Sequence, residues 1–180
     1  MLIGDATRTW TPLLPALLAV KLGIPLNGAD PELLPLGSKS GSREAFRAAG
    51  IELPDGTEHL QSVDEAIAAL VRLKAEKPHL RRAVVKLNDG FSGEGNALFR
   101  YPDVLPAEPA ARNEAIRGAL DSLKFAAPDH SRDEFFCKFA EMGGVVEEFL
   151  EADEVQSPSV QMRITPQGDL HIISTHDQAL

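Results

Sequence analysis

The stretch "VVKLNDGFSGEGNALF", running from Val84 to Phe99, sets Lys86 at the end of an apolar run and follows it with Gly90, Gly93 and Gly95. Glycines this dense let backbone N–H groups approach an anion closely, and an ammonium beside them adds point charge, so the chemistry suggested is phosphate binding. Spacing separates the possible designs. A Walker loop places Lys directly after its last glycine and continues into a helix, but Asn96 follows Gly95 and the next run is strand-like. A dinucleotide fingerprint runs Gly-x-Gly-x-x-Gly between strand and helix, whereas the order here is Gly-x-x-Gly-x-Gly between two strands. What fits is a strand–loop–strand flap closing over a triphosphate, with Lys86 on its first strand. Protein kinases put the lysine after the glycine hairpin, the reverse of this order. The alternative is a glycine-rich hairpin turn carrying a snorkelling surface lysine.

Other reactive residue types are sparse. Cys137 is the single cysteine, so neither an intramolecular disulfide nor a cysteine zinc pair is available, and the usage is that of an intracellular, cytoplasmic chain. Its neighbours Phe135, Phe136 and Phe139 predict a buried apolar thiol rather than a nucleophile. Glu147, Glu148, Glu151 and Glu154 form an acidic run, and His176 next to Asp177 reads as a local hydrogen-bonded pair.

The elements that must position these residues form an α/β pattern of the α+β kind. A helix over "LLPALLAVKLG" ends near Gly23 and leads into a loop rich in Pro and Gly. From Ser38 the segment "SKSGSREAFRAAGIELPDG" reads as a short helix closed by Gly50, and the chain reverses at Asp55-Gly56. "SVDEAIAALVRLKAEKP" carries a capping box, with Ser62 capping and Glu65 reaching back, and an apolar stripe from Ala66 to Leu73. "AVVKL" and "NALFRY" pair as antiparallel strands around the glycine loop, and "EPAARNEAIRGALDSLKF" and "SRDEFFCKFAEMGG" are helices. "GVVEEFLE" is a strand, and "SPSVQMRI" with "DLHIIS" forms a half-buried hairpin around "TPQGD". The net charge of −9 over 180 residues excludes the large basic surface that duplex nucleic acid needs. The apolar stretch near the start is too short, and too broken by Pro15 and Lys21, to span a membrane.

Four pieces in order resemble the ATP-grasp superfamily of carboxylate–amine ligases: "SK" before a helix ending in "AGIELP", "VVKL" with its glycine loop, "VVEEFLEADE", and "SVQMRI" with "GDLHII". Within it the chain is similar, from about Gly4 onward, to peptide-forming ligases of the pheganomycin type. The resemblance implies that Lys39 and Lys86 are the two nucleotide lysines and that Gly90, Phe91, Ser92, Gly93 and Gly95 form the flap. It implies that Glu147, Glu148, Phe149 and Leu150 are the hinge against the adenine, with Glu154 on the ribose hydroxyls and Arg163 as a catalytic cation on the transferred group. A solvated acidic face is the competing reading of the glutamates and the preferred one for Glu148 and Glu151.

The activity so implied is ATP-dependent activation of a carboxylate as an acyl phosphate, with ATP and Mg²⁺ as cofactors and small carboxylate and amine substrates. Family magnesium ligands are expected beyond residue 180, so residues 1–37 read as the remnant of a preceding domain, 38–146 as the first lobe, and 147–180 as the hinge and start of a truncated second lobe. Self-association through that second lobe is the expected consequence. The alternative function is a nucleotide-binding or partner-docking module without turnover.

Overall fold

The computed structural model describes residues 6–26, 30–90, 95–127, 131–152, 154–165 and 167–178. They divide into two units, Met1–Phe149 and Leu150–Leu180. The first is built on five strands, β1 (Gly56–Leu60), β2 (Arg82–Leu87), β3 (Asn96–Arg100), β4 (Lys124–Phe125) and β5 (Gly144–Glu148), in the spatial order β1-β5-β2-β3-β4. Every neighbouring pair is antiparallel. The mixture of helices with antiparallel sheets is the fold class the sequence predicts.

The two faces of the sheet differ because strand side chains alternate. On β2, Ala83, Val85 and Leu87 are buried, while Arg82, Val84 and Lys86 are only partly covered. The buried set joins Ala97, Phe99 and Val146 in one core with helices α3 (Val63–Glu76), α4 (Pro109–Ala119) and α5 (Arg132–Met142). Their inward residues include Ile67 and Leu70, Ile116, and the trio Phe135, Phe136 and Phe139. The opposite face carries Lys86 and Glu147, and there α2 (Lys39–Ala48) packs against β1 and β5. Before α2 lie α1 (Ala6–Leu22) and a 3-10 helix, Pro31–Gly37. Gly23, at φ 65°, ends α1 as the sequence predicts.

Three local expectations are corrected. Glu65 does reach back, but to the Gln61 N–H at 2.6 Å, and the full capping box belongs to Ser131 and Glu134 at the start of α5. Cys137 is exposed, because residues 135, 136 and 139 share the inward face and position 137 lies some 200° round the helix from 135. Glu148 is not solvated: its carboxylate pairs with Lys77 at 2.5 Å and accepts the Asp55 N–H at 2.9 Å. Strand β1 and the 3-10 helix were not foreseen. β1 is irregular, with a register shift between Thr57 and Leu60 and His59 at φ 58°, so it lacks clean alternation.

The second unit is a hairpin of β6 (Ser157–Ile164) and β7 (Leu170–Gln178). The strands fall where the sequence places them, but the predicted half-burial does not. Met162, Ile164, Leu170 and Ile172 are each more than half exposed. The pairs Met162↔Ile172 and Ile164↔Leu170 put all four on one face. Among the described residues no helix is long and apolar enough to cross a membrane.

Candidate functional site

A cavity of about 870 Å³ opens on the face of the first unit that α2 only partly covers. Lys39, Ser42, Arg43 and Phe46 line it from α2, Lys86 and Glu147 from the sheet, and Asn88, Asp89 and Gly90 from the segment after β2. Positions 39, 42, 43 and 46 share one helical face, which runs about 10 Å along the helix at 1.5 Å per residue.

Asn88 positions the cationic end. Its carbonyl accepts the Lys39 N–H at 3.1 Å, and its side-chain Oδ1 accepts the Ser40 N–H at 3.1 Å and the Ser40 hydroxyl at 2.6 Å. Its own N–H donates to the Gly143 carbonyl and its Nδ2 to the Met142 carbonyl. One residue thus ties the start of α2 and the end of β2 to the end of α5. The Gly41 N–H is taken by the Ser38 hydroxyl, so the first amides of α2 are already satisfied. An anion here must be held by side-chain charge rather than by the helix terminus.

That charge comes from two lysines. Burial pushes the Lys39 ammonium below its ordinary pKa and repulsion from Lys86 adds to the effect, against opposing attraction from Asp89 and Glu147. Lys86 Nζ ion-pairs with one oxygen of the buried Glu147 carboxylate, and Arg43 Nη1 holds the other at 2.7 Å. The neck of the glycine loop is tight. A Cβ on Gly90 would sit 3.1 Å from Gly95 Cα and 3.7 Å from Lys39 Nζ, so a side chain there would crowd both the loop and the lysine. Asn96, paired in register with Lys86, buries its Oδ1, which has no hydrogen-bond partner among the described residues.

The structure therefore brings together Lys39, Lys86, Gly90 and Glu147, with Gly95 at the loop neck. Phe91, Ser92 and Gly93 lie outside the described residues. Phe149 stands beside Arg82, whose guanidinium lies 4.2 Å from the ring centroid, and does not line the cavity. Glu148 faces Lys77 instead. Leu150, Glu154 and Arg163 belong to the second unit and are exposed. Sequence reading missed Asn88 and Arg43. Asn88 had a signal as the turn-forming residue directly after a lysine strand, and Arg43 had one as the residue one helical turn beyond Lys39.

Magnesium needs hard oxygen ligands. Among the described residues no three His, Cys, Asp or Glu side chains gather to hold a metal, and Glu147 is committed to two cations. The described side chains do not make a metal centre.

A strand-borne lysine, a glycine loop and a helix-entry lysine on one mixed α/β lobe define a class. Residues 33–127 match the family model described as IQCH-like, ATP-grasp, and the chain belongs to that ATP-grasp family. It is 33% identical over 147 residues to L-propargylglycine–L-glutamate ligase of Streptantibioticus cattleyicolor, an alignment covering 80% of this chain and 28% of the relative. It is also 27% identical over 194 residues to IQ motif-containing protein H of Danio rerio, covering 89% of this chain and 18% of that protein. The chain thus spans under a third of either relative's length.

Proposed function

We propose that this chain is the ATP-holding portion of a carboxylate–amine ligase, with residues 38–146 as its first lobe, 1–37 as the end of a preceding domain, and 147–180 as the hinge and start of a second lobe. The observation that carries the reading is the pair of ammonium groups from different elements, Lys39 and Lys86, lining one cavity beside Gly90, with Glu147 contacting Lys86. Half-buried like charges favour an anion that neutralises both. A triphosphate does so, with its phosphates at the lysines. The division of the chain after Phe149 supports a hinge there. The adenine role of Glu147 to Leu150, the ribose role of Glu154 and the catalytic role of Arg163 rest on the family pattern.

In the proposed reaction a substrate carboxylate oxygen attacks the γ-phosphorus, the bond to the bridging oxygen breaks and ADP leaves. An amine then attacks the acyl carbon, forming the amide and expelling phosphate. Lys39 and Lys86 hold the phosphates in place and offset their charge. Mg²⁺ would supply charge that offsets the phosphates, and no cluster of described side chains here is gathered to hold it. An amino-acid carboxylate and amine are the proposed substrates, a class suggested by the ligase relative.

Calorimetric titration with Mg·ATP tests the binding claim, and hydroxylamine trapping tests the chemistry. A hydroxamate that requires both ATP and an amino acid, with L-propargylglycine and L-glutamate each tried alone, supports the acyl phosphate. ATP binding with neither ADP nor hydroxamate formed supports the second reading, a nucleotide-binding or partner-docking module. No ATP binding contradicts the ligase reading and the nucleotide-binding form of the second, and leaves only partner docking.

A further inference from the structure

The charged groups behind the cavity form a line of alternating sign. Arg47, largely exposed, pairs with Glu58 at 2.6 Å, and Glu58 pairs with Arg43 at 3.1 Å. Arg43 pairs with Glu147 at 2.7 Å, and Glu147 pairs with Lys86 at the cavity wall. Arg43 is the pivot. It is only 5% exposed, its Nη1 also donates to the Pro54 carbonyl at 3.0 Å, and its planar fork reaches carboxylates on two different strands. Glu58 records this clamping: burial pushes its carboxyl up, but hydrogen bonds from Arg47 and Arg43 outweigh that and hold it below its ordinary pKa.

The consequence falls on Lys86. A buried carboxylate that loses its only cation is left uncompensated, a costly state. With Arg43 on the other oxygen, Glu147 keeps a partner when Lys86 turns away. We propose that Arg43 is a positioning residue that sets the availability of Lys86: by retaining Glu147 it lets the lysine exchange that carboxylate for an anionic ligand in the cavity. This rests on the phosphate-binding reading for the ligand, but not for the hold of Glu147 on Lys86, which exists in the unliganded chain.

The test is the rate at which Lys86 is acetylated by sulfo-N-hydroxysuccinimidyl acetate, read by mass spectrometry without ligand. Arg43→Met should slow acetylation at least threefold, because Glu147 is left with Lys86 alone and grips it more tightly. Glu147→Gln should speed it at least threefold, and Arg43→Met/Glu147→Gln should be no slower than the unsubstituted chain. The direction is diagnostic, since an arginine that merely props up the fold would, when lost, loosen the site and speed the reaction. An unchanged or faster rate in Arg43→Met overturns the proposal. If Arg43→Met does not fold, Arg43→Gln, which removes the cation but keeps a polar side chain of similar reach, must show the slowing or the proposal fails. Mg·ATP affinity is measured on the same proteins. Slowing without ATP binding to the unsubstituted chain sinks the nucleotide reading and leaves the role of Arg43 standing.

Discussion

Lys39 is the residue whose ionisation should be felt most directly. Its pKa in the folded chain lies below the ordinary 10.5, so between the two values the folded chain holds fewer protons than the unfolded one. Stability contributed by Lys39 therefore rises with pH through that window. Binding of an anion has the opposite sign, because it needs the charged form. Mg·ATP affinity should fall as pH rises through the lowered pKa of Lys39, and Lys39→Arg should carry the affinity to higher pH, measured as Kd against pH. A pH-independent Kd in the unsubstituted chain would remove Lys39 from the site. Lys86 was legible in the sequence because a lysine ending an apolar strand before three glycines is locally odd. The spacing of Arg43 from Lys39 was legible too, but its burial was not, since that is set by Glu58 and Glu147, which lie 15 and 104 positions away. No window on the chain contains that arrangement.

At the level of elements, the site depends on how closely β5 approaches β2. Gly144 pairs with Leu87, and a Cβ there would overlap the Lys86 carbonyl oxygen and the Phe139 ring. Gly144→Ala should destabilise the first unit by about 1–3 kcal/mol, the usual cost of overpacking, seen as a lower denaturant midpoint. Asn88→Ala removes the side-chain ties from the end of β2 to Ser40 and to Met142, leaving the backbone ones, and should cost about 2 kcal/mol through the buried groups it leaves unpaired. It should also weaken nucleotide binding more than Gly144→Ala does at equal stability, because the lost side chain anchors Ser40, the neighbour of Lys39 at the start of α2. The long elements were legible from periodicity: α3, the β2–β3 pair and the β6–β7 hairpin fall where apolar spacing puts them. β1 was not, because "GTEHL" has little alternation and is held by pairing to β5, a partner more than 80 residues away.

At the scale of the whole molecule, the exposed apolar surface is the notable feature. Leu14, Leu17, Leu18 and Leu22 of α1 and Met162, Ile164, Leu170 and Ile172 of the hairpin are all about half exposed or more. Surface of this kind promotes association. The chain is expected to self-associate at micromolar concentration, and Met162→Asp with Ile172→Glu should shift it toward monomer in analytical ultracentrifugation; a monodisperse monomer before substitution would contradict this. The central claim, that Lys86 and its glycine loop hold phosphates, is tested most directly by the thermal shift of the intact chain and of Lys86→Ala in Mg·ATP. A ligand at a hundredfold excess over its Kd adds about 2.7 kcal/mol to apparent stability. The account predicts that gain in the intact chain and its loss in Lys86→Ala. An equal shift in both proteins, or none in a well-folded intact chain, would contradict it.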